Sequence, residues 1–292
     1  MRVAGFLFIR NAIKYDYPVK EAILSLLPLC DEVMVSIGNS EDDTEQLIGS
    51  IDSAKIRISH SIWDDTLREG GKVLAVETDK AFDQVGAGAD WCIYLQGDEV
   101  IHENDYATIR ENMLRYKEDP QIEGFLFKYR HLYGSYDYLG DSRRWYSHEI
   151  RIIRNDKSIR SYRDAQGFRK DGRKLQVKSI NAYIYHYGYV KHPSVQLQKH
   201  LNFEKLYNHS TLADKVSAEK LDGFDYERID SLQKFTGTHP AVMQDLISRK
   251  NWHYSVDISK KNFTLKGWFH YWAEKLTGRR FFEYKNYKVV RG

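Results

Sequence analysis

The chain has 292 residues, of which 44 are basic and 41 are acidic, so its formal net charge is +3. A charge balance this close to zero does not by itself indicate nucleic-acid binding. Hydrophobic residues make up 42% of the chain, and the apolar runs are much shorter than the roughly 20 residues of a membrane-spanning helix. This composition predicts a soluble globular protein with one sizeable core.

The chain contains two cysteines, Cys30 and Cys92, and both lie inside apolar patterns. Cysteines in such surroundings are typical of buried thiols and not of a disulfide or metal framework. We therefore expect a reducing, cytoplasmic setting for this protein.

Short strands alternate with helices in the first 120 residues. The predicted strands cover residues 2–9, 32–37, 55–59 and 91–95. Helical patterns follow Pro18, Thr44 and Gly71, and the last of them has an apolar face formed by Leu74, Thr78, Ala81, Phe82 and Val85. This alternation predicts a parallel α/β sheet.

Two carboxylates, Asp98 and Glu99, come directly after the apolar run at residues 91–95. Ligands of open α/β sheets lie outside the carboxyl ends of the strands, so both side chains are expected to face a crevice. Carboxylates in that place can hold a divalent cation that also binds phosphate oxygens. The alternative is a strand that simply ends in a polar turn.

A second candidate site lies at Arg68, Gly70 and Gly71, at the start of a predicted helix. Free N–H groups and the helix dipole favour an anion at such a position, so it could bind phosphate. The motif is short, and an ordinary solvent-exposed helix start remains the alternative.

Longer strands follow Pro120, at residues 124–132, 149–154 and 182–187, and we expect them to be antiparallel. A predicted loop at 133–146 contains Arg143 and Arg144 among aromatic residues, a mixture suited to sugars and phosphates or to internal Arg–Asp pairs. Asp164 lies among basic residues, and His186 lies near the end of the last of these strands.

The chain beyond residue 190 has helical patterns. Its tail, residues 263–291, is rich in aromatic and basic residues. Such a segment can lie on an anionic membrane surface. It can equally form a helix whose aromatic side chains cover the core.

With these residues in view, positions 3–190 resemble the glycosyltransferase family 2 enzymes of the GT-A fold. The resemblance rests on Phe8-Ile-Arg-Asn-Ala12 with the turn at 38–44, on Trp91-Cys-Ile-Tyr-Leu-Gln-Gly-Asp-Glu99, and on Tyr185-His186-Tyr187-Gly188. The second stretch is similar to the family's Asp-x-Asp motif, with Gln96 in place of the first Asp. At that position a carboxylate contact to ribose or metal is lost, and an amide that can hydrogen-bond a ribose or a metal-bound water replaces it.

The resemblance implies an α/β fold with a mixed sheet flanked by helices and a helical C-terminal extension. The catalytic domain would span residues 1–190, with a nucleotide-sugar half at 1–120, an acceptor half at 121–190 and a helical region at 191–292. Asp98, Glu99 and His186 would hold Mn²⁺ or Mg²⁺. Donor contacts are expected from Arg10, Asn11, Asn39, Asp42, Arg68, Gly70, Gly71, Gln96, Arg143 and Arg144.

The implied activity is transfer of a sugar from a nucleoside diphosphate-sugar to a glycan or lipid-linked acceptor, with inversion, in surface polysaccharide or glycoconjugate biosynthesis. Asp164 is the leading candidate for the general base, with Glu149 in reserve. A binding protein without turnover and a sugar nucleotidyltransferase are the alternatives. The expected location is cytoplasmic, with peripheral membrane contact through the C-terminal region and no nucleic-acid partner.

Overall fold

The computed structural model describes residues 1–67, 69–207 and 223–291. Four parallel strands form the first half of the sheet: β1 (Val3–Ile9), β2 (Glu32–Gly38), β3 (Ile56–Ser61) and β4 (Trp91–Tyr94). The helices between them are α1 (Val19–Leu26), α2 (Thr44–Gly49) and α3 (Lys72–Asp83). The predicted alternation of strands and helices is therefore confirmed.

The side chains of β1 alternate between two hydrophobic clusters, one on each face of the sheet. Leu7 and Ile9 pack in the cluster that includes α1, and Phe6 and Phe8 pack in the cluster that includes α3. A strand buried on both faces reads as a continuous apolar run, which is why the sequence shows no alternation there. The apolar face predicted for α3 is buried as expected.

The second half of the sheet is mixed. It contains β5 (Glu99–Ile101), β6 (Gly124–Tyr133), β7 (Ser135–Gly140), β8 (His148–Arg154), β9 (Ile159–Tyr162), β10 (Gly167–Lys170) and β11 (Arg173–Tyr189), while α4 (Tyr106–Arg115) follows β5. The main path of neighbouring strands is β3-β2-β1-β4-β8-β6-β11-β10-β9. The predicted mixed α/β sheet with flanking helices is confirmed.

Two expectations for this half were wrong. Strand β8 is antiparallel to β4 and β6, but β11 runs parallel to β6 because the intervening strands return the chain to the starting end of β6. The predicted loop at 133–146 contains strand β7, which pairs with β6 across the turn at Gly134. The backbone there has φ +70°, a conformation that glycine adopts without strain.

The last hundred residues contain α5 (Pro193–Tyr207), α6 (Gln244–Ser248) and α7 (Leu265–Thr277). Two short strands, β12 (Leu232–Lys234) and β13 (Tyr287–Val289), pair with β7 and β11 and so extend the main sheet. The described part of this region is thus helical with two added strands. The domain division at residue 190 stays a prediction. In the part of the chain that the structure describes, no helix has the length and apolarity to cross a bilayer.

Candidate functional site

A cavity of about 580 Å³ opens at the carboxyl ends of β1 and β4. This is the edge of the sheet at which ligands of α/β proteins bind. Five of the predicted site residues line the cavity: Arg10, Asn11, Gln96, Asp98 and Asp164. These five predicted residues therefore lie together at this edge of the sheet.

The Arg10 side chain and an indole ring form one part of the cavity wall. The guanidinium carbon of Arg10 lies 5.5 Å from the ring centroid of Trp63, and Nη1 of Arg10 donates to Oδ1 of Asp65 at 2.9 Å. Within residues 1–67, 69–207 and 223–291, the buried Nε1 of Trp63 has no hydrogen-bond partner. A flat ring beside a guanidinium can stack on a nucleobase.

Asn11 shapes the loop that follows β1. Its backbone has φ +56°, which Asn tolerates better than most residues, and Oδ1 of Asn11 accepts from the N–H of Glu41 at 2.7 Å. The backbone N–H of Asn11 donates to Oγ of Ser40 at 3.0 Å. These bonds fix the β1 and β2 loops against each other at the mouth of the cavity.

A buried ion pair joins Asp98 to helix α5. Nζ of Lys199 donates to Oδ2 of Asp98 at 2.9 Å and to the carbonyl oxygen of Gly188 at 3.0 Å. Burial alone would raise the pKa of Asp98, but the charge of Lys199 is the largest of several that oppose it and hold that pKa well below its usual range. Asp98 is therefore a carboxylate whose charge Lys199 already neutralises.

Glu99 takes part in a different ion pair. Its Oε2 accepts from Nε of Arg151 at 2.7 Å, and its Oε1 accepts from Nη2 of Arg151 at 2.8 Å and from the Tyr129 hydroxyl at 2.7 Å. The backbone N–H of Gln96 also donates to Oε2 of Glu99, at 3.1 Å. Both oxygens are thus occupied, and the bidentate pair with Arg151 is fully buried.

His186 is part of a chain of hydrogen bonds that ends at a backbone carbonyl. Nε2 of His131 lies 2.9 Å from the carbonyl oxygen of Tyr146, which can only accept, so we assign the hydrogen to that nitrogen. Burial lowers the pKa of His131 and of His186, so both rings are neutral. Nδ1 of His186 then donates to Nδ1 of His131 at 3.2 Å. This leaves a lone pair on Nε2 of His186, 3.7 Å from Oδ1 of Asp98.

The predicted metal centre of Asp98, Glu99 and His186 is not formed in this arrangement. Among the described residues, no group of three His, Cys, Asp or Glu side chains is placed to hold a metal ion. The atoms still available to a cation are Oδ1 of Asp98 and Nε2 of His186, and the carboxylate is already paired with Lys199. These residues do not fit the three-ligand site that the family resemblance implies.

A second buried lysine lies close to the first. Nζ of Lys191 donates to the carbonyl oxygen of Asp16. It lies 5.0 Å from the ring centroid of Tyr17, while Nζ of Lys199 lies 4.8 Å from the same ring. Burial and the neighbouring Lys199 lower the pKa of Lys191 to about 7. Lys191 is therefore charged in only about half of the molecules at neutral pH.

Asp164 lies in the turn between β9 and β10, whose neighbours Arg163 and Ala165 both have positive φ. Its Oδ2 accepts from the hydroxyl of Tyr207 in α5 at 2.8 Å. Asp164 also lines a second cavity, of about 760 Å³, together with Gly70. A Cβ built on Gly71 would lie 2.9 Å from Cβ of Asp164, so only glycine fits there. The structure thus places the predicted glycines beside Asp164.

The reserve base, Glu149, is almost fully buried on β8. Its Oε2 has no hydrogen-bond partner in the described part of the chain. Burial raises the pKa of Glu149 to about 8, with Glu99 and Asp164 acting in the same direction and Arg151 against them. Glu149 is not among the residues that line either cavity.

Several predicted donor contacts have other partners. Asn39 accepts from the N–H of Trp63 at 3.2 Å, and Asp42 accepts from the N–H of Lys14 at 2.7 Å. Arg143 contacts His270 and the carbonyl of Phe281, and Arg144 contacts the carbonyl of Arg228 at 3.4 Å. The structure does not bring these four side chains to the cavity wall, because each one fixes a neighbouring loop. Arg68 lies outside the described residues.

Five residues at or beside the cavity were not predicted from the sequence: Tyr17, Trp63, Lys199, Phe203 and Tyr207. The position of Trp63 could have been predicted, because it follows β3 directly and so lies at the same edge of the sheet. No sequence pattern indicated the positions of the α5 residues, because a helix that lies about 100 residues from Asp98 in sequence can pack anywhere on the sheet.

No protein-family model and no curated protein matches the chain. Among solved structures, residues 1–349 of Staphylococcus aureus TarS in complex with UDP-GlcNAc are 15% identical, with a TM-score of 0.39 over 74% of this chain and 69% of that one. Glucosyl-3-phosphoglycerate synthase from Mycobacterium tuberculosis, in complex with Mg²⁺ and UDP, is 15% identical, with a TM-score of 0.28 over 44% of this chain and 43% of that one.

A third similar structure is 4-diphosphocytidyl-2C-methyl-D-erythritol synthase from Anaerococcus prevotii. It is 10% identical, with a TM-score of 0.32 over 53% of this chain and 71% of that one. The chain covers 41% of a longer TarS structure, to which it is 18% identical with a TM-score of 0.39.

Proposed function

We propose that this protein transfers a sugar from a nucleoside diphosphate-sugar to a hydroxyl group of a glycan or lipid-linked acceptor. The proposal rests on the side chains that line one cavity. An indole–guanidinium pair, a carboxylate held by a lysine, and a carboxylate in a strained turn all lie on its wall. Its volume of about 580 Å³ is in the usual range for small-molecule sites.

These groups match the chemical needs of the transfer. The bond between the anomeric carbon and the diphosphate oxygen breaks, and its electron pair stays on the diphosphate. Fixed positive charge beside that oxygen stabilises the charge that develops. The acceptor oxygen forms the new bond to the anomeric carbon and loses its proton to a general base.

Asp164 is the base that we propose, and a single displacement with inversion is the simplest course of the reaction. Asp164 reaches the cavity from a turn whose backbone is fixed by neighbours with positive φ. Its contact with the Tyr207 hydroxyl shows that it can accept a hydrogen bond from an alcohol oxygen at 2.8 Å. An acceptor hydroxyl in the same position would be within reach for proton transfer.

The nucleoside is assigned to the part of the cavity that Arg10, Asn11 and Trp63 line. The glycine pair Gly70–Gly71, with Arg68, stays a proposed phosphate contact, in which the free backbone N–H groups of the helix start would donate. Gln96, which lines the cavity, donates from Nε2 to the carbonyl oxygen of Ala165 at 3.5 Å. That long contact could be exchanged for one to the donor.

We also propose that α7 holds the protein at an anionic membrane surface, where a lipid-linked acceptor would lie. Four apolar side chains at helical spacing point outward from this helix: Leu265, Phe269, Trp272 and Leu276. The exposed fractions are 92% for Leu265 and 81% for Leu276, and Lys266, Lys275 and Arg279 are exposed nearby. Apolar and basic residues combined on one helix are typical of interfacial binding.

A binding protein without turnover is the second candidate. The observation in its favour is the Tyr207 hydroxyl, which occupies the position at Asp164 that an acceptor would need. The two candidates differ in one measurable property. A transferase slowly hydrolyses its donor when no acceptor is present, whereas a binding protein leaves the donor intact.

A thermal-shift screen with UDP, GDP, ADP, CDP and dTDP, each in EDTA and in Mn²⁺, tests the proposal. A ligand that binds only the folded state raises the melting temperature. We expect one diphosphate to do so and its sugar conjugate to be hydrolysed. If none of the five diphosphates shifts the melting temperature in either buffer, the proposed function is wrong.

A further inference from the structure

We propose that Lys199 is the built-in cation that binds the donor's diphosphate, so that donor binding needs no divalent metal ion. This inference rests on the proposed function and makes it more specific. Asp98 was predicted from the sequence to bind a metal ion, but in the structure it forms an ion pair with Lys199.

The ammonium group of Lys199 is fixed in place with one donor to spare. It has three N–H donors, of which one goes to Oδ2 of Asp98 and one to the carbonyl oxygen of Gly188. No third acceptor of Lys199 is present among residues 1–67, 69–207 and 223–291. Asp98 lines the cavity, and Nζ of Lys199, which does not itself line it, lies 2.9 Å from Oδ2 of Asp98. A phosphate oxygen beside Asp98 could therefore accept the remaining hydrogen.

Aromatic rings hold the lysine in this position. Its Nζ lies 4.8 Å from the ring centroid of Tyr17 and 5.4 Å from that of Phe203, and both rings also line the cavity. Cation–π contacts of this kind are strongest where water is excluded. The charge is thus oriented before any ligand arrives, which is the condition under which a fixed charge stabilises a leaving group most.

The charges around Asp98 favour an anion over a second cation. The Glu99–Arg151 pair cancels, the Asp98–Lys199 pair cancels, and Lys191, with a pKa of about 7, adds part of a positive charge at neutral pH. His186 is a neutral acceptor in the tautomer assigned above. A diphosphate would therefore meet a group whose negative charges are neutralised and whose remaining charge, that of Lys191, is positive. A divalent cation would find no carboxylate that lacks a positive partner in this group.

The glycine at position 188 keeps the three groups close together. A Cβ built there would lie 2.7 Å from Nε2 of His186 and 2.8 Å from Oδ2 of Asp98. Both distances are too short for a real side chain, so any larger residue would separate His186 from Asp98. The close packing that allows Lys199 to reach both Asp98 and the Gly188 carbonyl depends on this glycine.

Calorimetric titration with the diphosphate that gives the largest thermal shift tests the inference. In EDTA, we expect the wild-type protein to bind it. We expect Lys199→Gln to lower that affinity by about tenfold or more, because a charge-assisted contact to phosphate is lost. Affinity for the parent nucleoside should be unchanged. Lys234→Gln, which removes an exposed positive charge on β12, should bind like the wild type.

Lys199→Gln leaves Asp98 buried without a partner and could therefore fail to fold. Two further variants distinguish a loss of diphosphate binding from such a folding defect. The double variant Asp98→Asn/Lys199→Gln keeps the pair neutral and should fold, but it should still bind the diphosphate weakly in EDTA. Lys199→Arg keeps the charge and should retain most of the affinity. Wild-type affinity in the double variant would overturn the inference.

Electron paramagnetic resonance of Mn²⁺ tests the rival occupant, a cation between Oδ1 of Asp98 and Nε2 of His186. We expect excess wild-type protein alone to leave the free-ion signal unchanged, and protein with the diphosphate to lower the signal no more than the diphosphate alone does. Loss of the signal that Asp98→Asn restores would overturn the inference, as would diphosphate binding that occurs only with Mn²⁺. In both of those cases the proposed transferase would stand. If no diphosphate binds in either buffer, both proposals are wrong.

Discussion

Helices α5 and α7 come from the same C-terminal hundred residues, yet α5 buries polar side chains and α7 exposes apolar ones. Helix α5 buries the polar side chains Gln196 and Lys199. Helix α7 has no buried residue and exposes an apolar stripe. Local chemistry explains why α7 still forms: Oγ1 of Thr264 accepts from the N–H of Gly267 at 3.1 Å, and Gly278 ends the helix with φ +65°.

Helix α5 packs on the core through residues such as Leu206, but neither its buried Lys199 nor the exposed stripe of α7 is explained by core packing. A buried lysine is costly unless it is paired, and in α5 the pairing partner is a cavity residue. An exposed apolar stripe is also costly in water unless another surface covers it. The following predictions test whether α5 serves the cavity and α7 serves a membrane, from the largest expected effect to the smallest.

Asp98→Ala should have the largest effect, because it leaves the charge of Lys199 buried without a partner. We expect the free energy of unfolding to fall by about 3–5 kcal/mol, measured by urea denaturation. Asp245→Ala removes an exposed pair with Arg249 and should cost about 0.5 kcal/mol or less. A loss for Asp98→Ala as small as that of the control would mean that α5 does not depend on the cavity.

Asp164→Asn tests the other contact of α5 with the cavity. If Asp164 is the base, transfer should fall by about 10²-fold or more, while donor affinity stays the same, because the lost interaction exists mainly in the transition state. Steady-state rates with an identified acceptor, together with donor calorimetry, measure both quantities. Near-normal transfer would move the role to Glu149 or to another carboxylate.

Replacing Phe269 and Trp272 together by serine tests the apolar stripe of α7. We expect binding to vesicles that contain phosphatidylserine to fall by about tenfold or more, because less apolar surface enters the bilayer. Unfolding free energy should change by about 0.5 kcal/mol or less, since neither side chain is buried. Ile62→Ser, which alters an exposed residue far from α7 in sequence, is the matched control. Equal vesicle binding by all three proteins would contradict membrane docking.

Glu149 provides the opposite case to Asp98, since no ion pair of Glu149 is present in the described part of the chain. Its pKa is raised to about 8 in the folded state, so between pH 4.5 and 8 the folded protein binds a proton that the unfolded chain releases. Stability from this group is complete at low pH and is lost as pH rises through that window, at about 1.4 kcal/mol per pH unit. The difference in unfolding free energy between wild type and Glu149→Gln should follow this slope. A difference that does not vary with pH would show that Glu149 is ionised when folded.

The sequence predicted the first half of the sheet well because strands buried on both faces have continuous apolar runs. Strand β1 and strand β4 were located to within a residue. The beginning of β11 was missed, although Leu175 and Val177 alternate with polar residues, because the alternation breaks at 178–179, next to an irregular stretch of the pairing with β6. Short strands such as β9 and β10 have too few residues to show a period.

The sequence predicted that several candidate residues meet at one edge of the sheet, but it did not predict which of their charges pair. Asp98, Gln96 and Asp164 reach one cavity because sheet topology brings the strand ends together. The pairing of Glu99 with Arg151 and of Asp98 with Lys199 depends on which buried charges meet across 52 and 101 residues of sequence. Spacing along the chain carries no information about such distant partners, so a carboxylate pair was interpreted as a metal site.

The two cysteines are free and buried, as predicted. Their reaction with an alkylating reagent can therefore measure how often the core opens. Burial raises the pKa of Cys92 to about 12 and that of Cys30 still higher. An alkylating reagent attacks only the thiolate, so neither residue should react until the sheet around β1 and β4 opens. The rate of alkylation at neutral pH would then report the opening equilibrium of the core directly, and a bound diphosphate should slow it in proportion to its affinity.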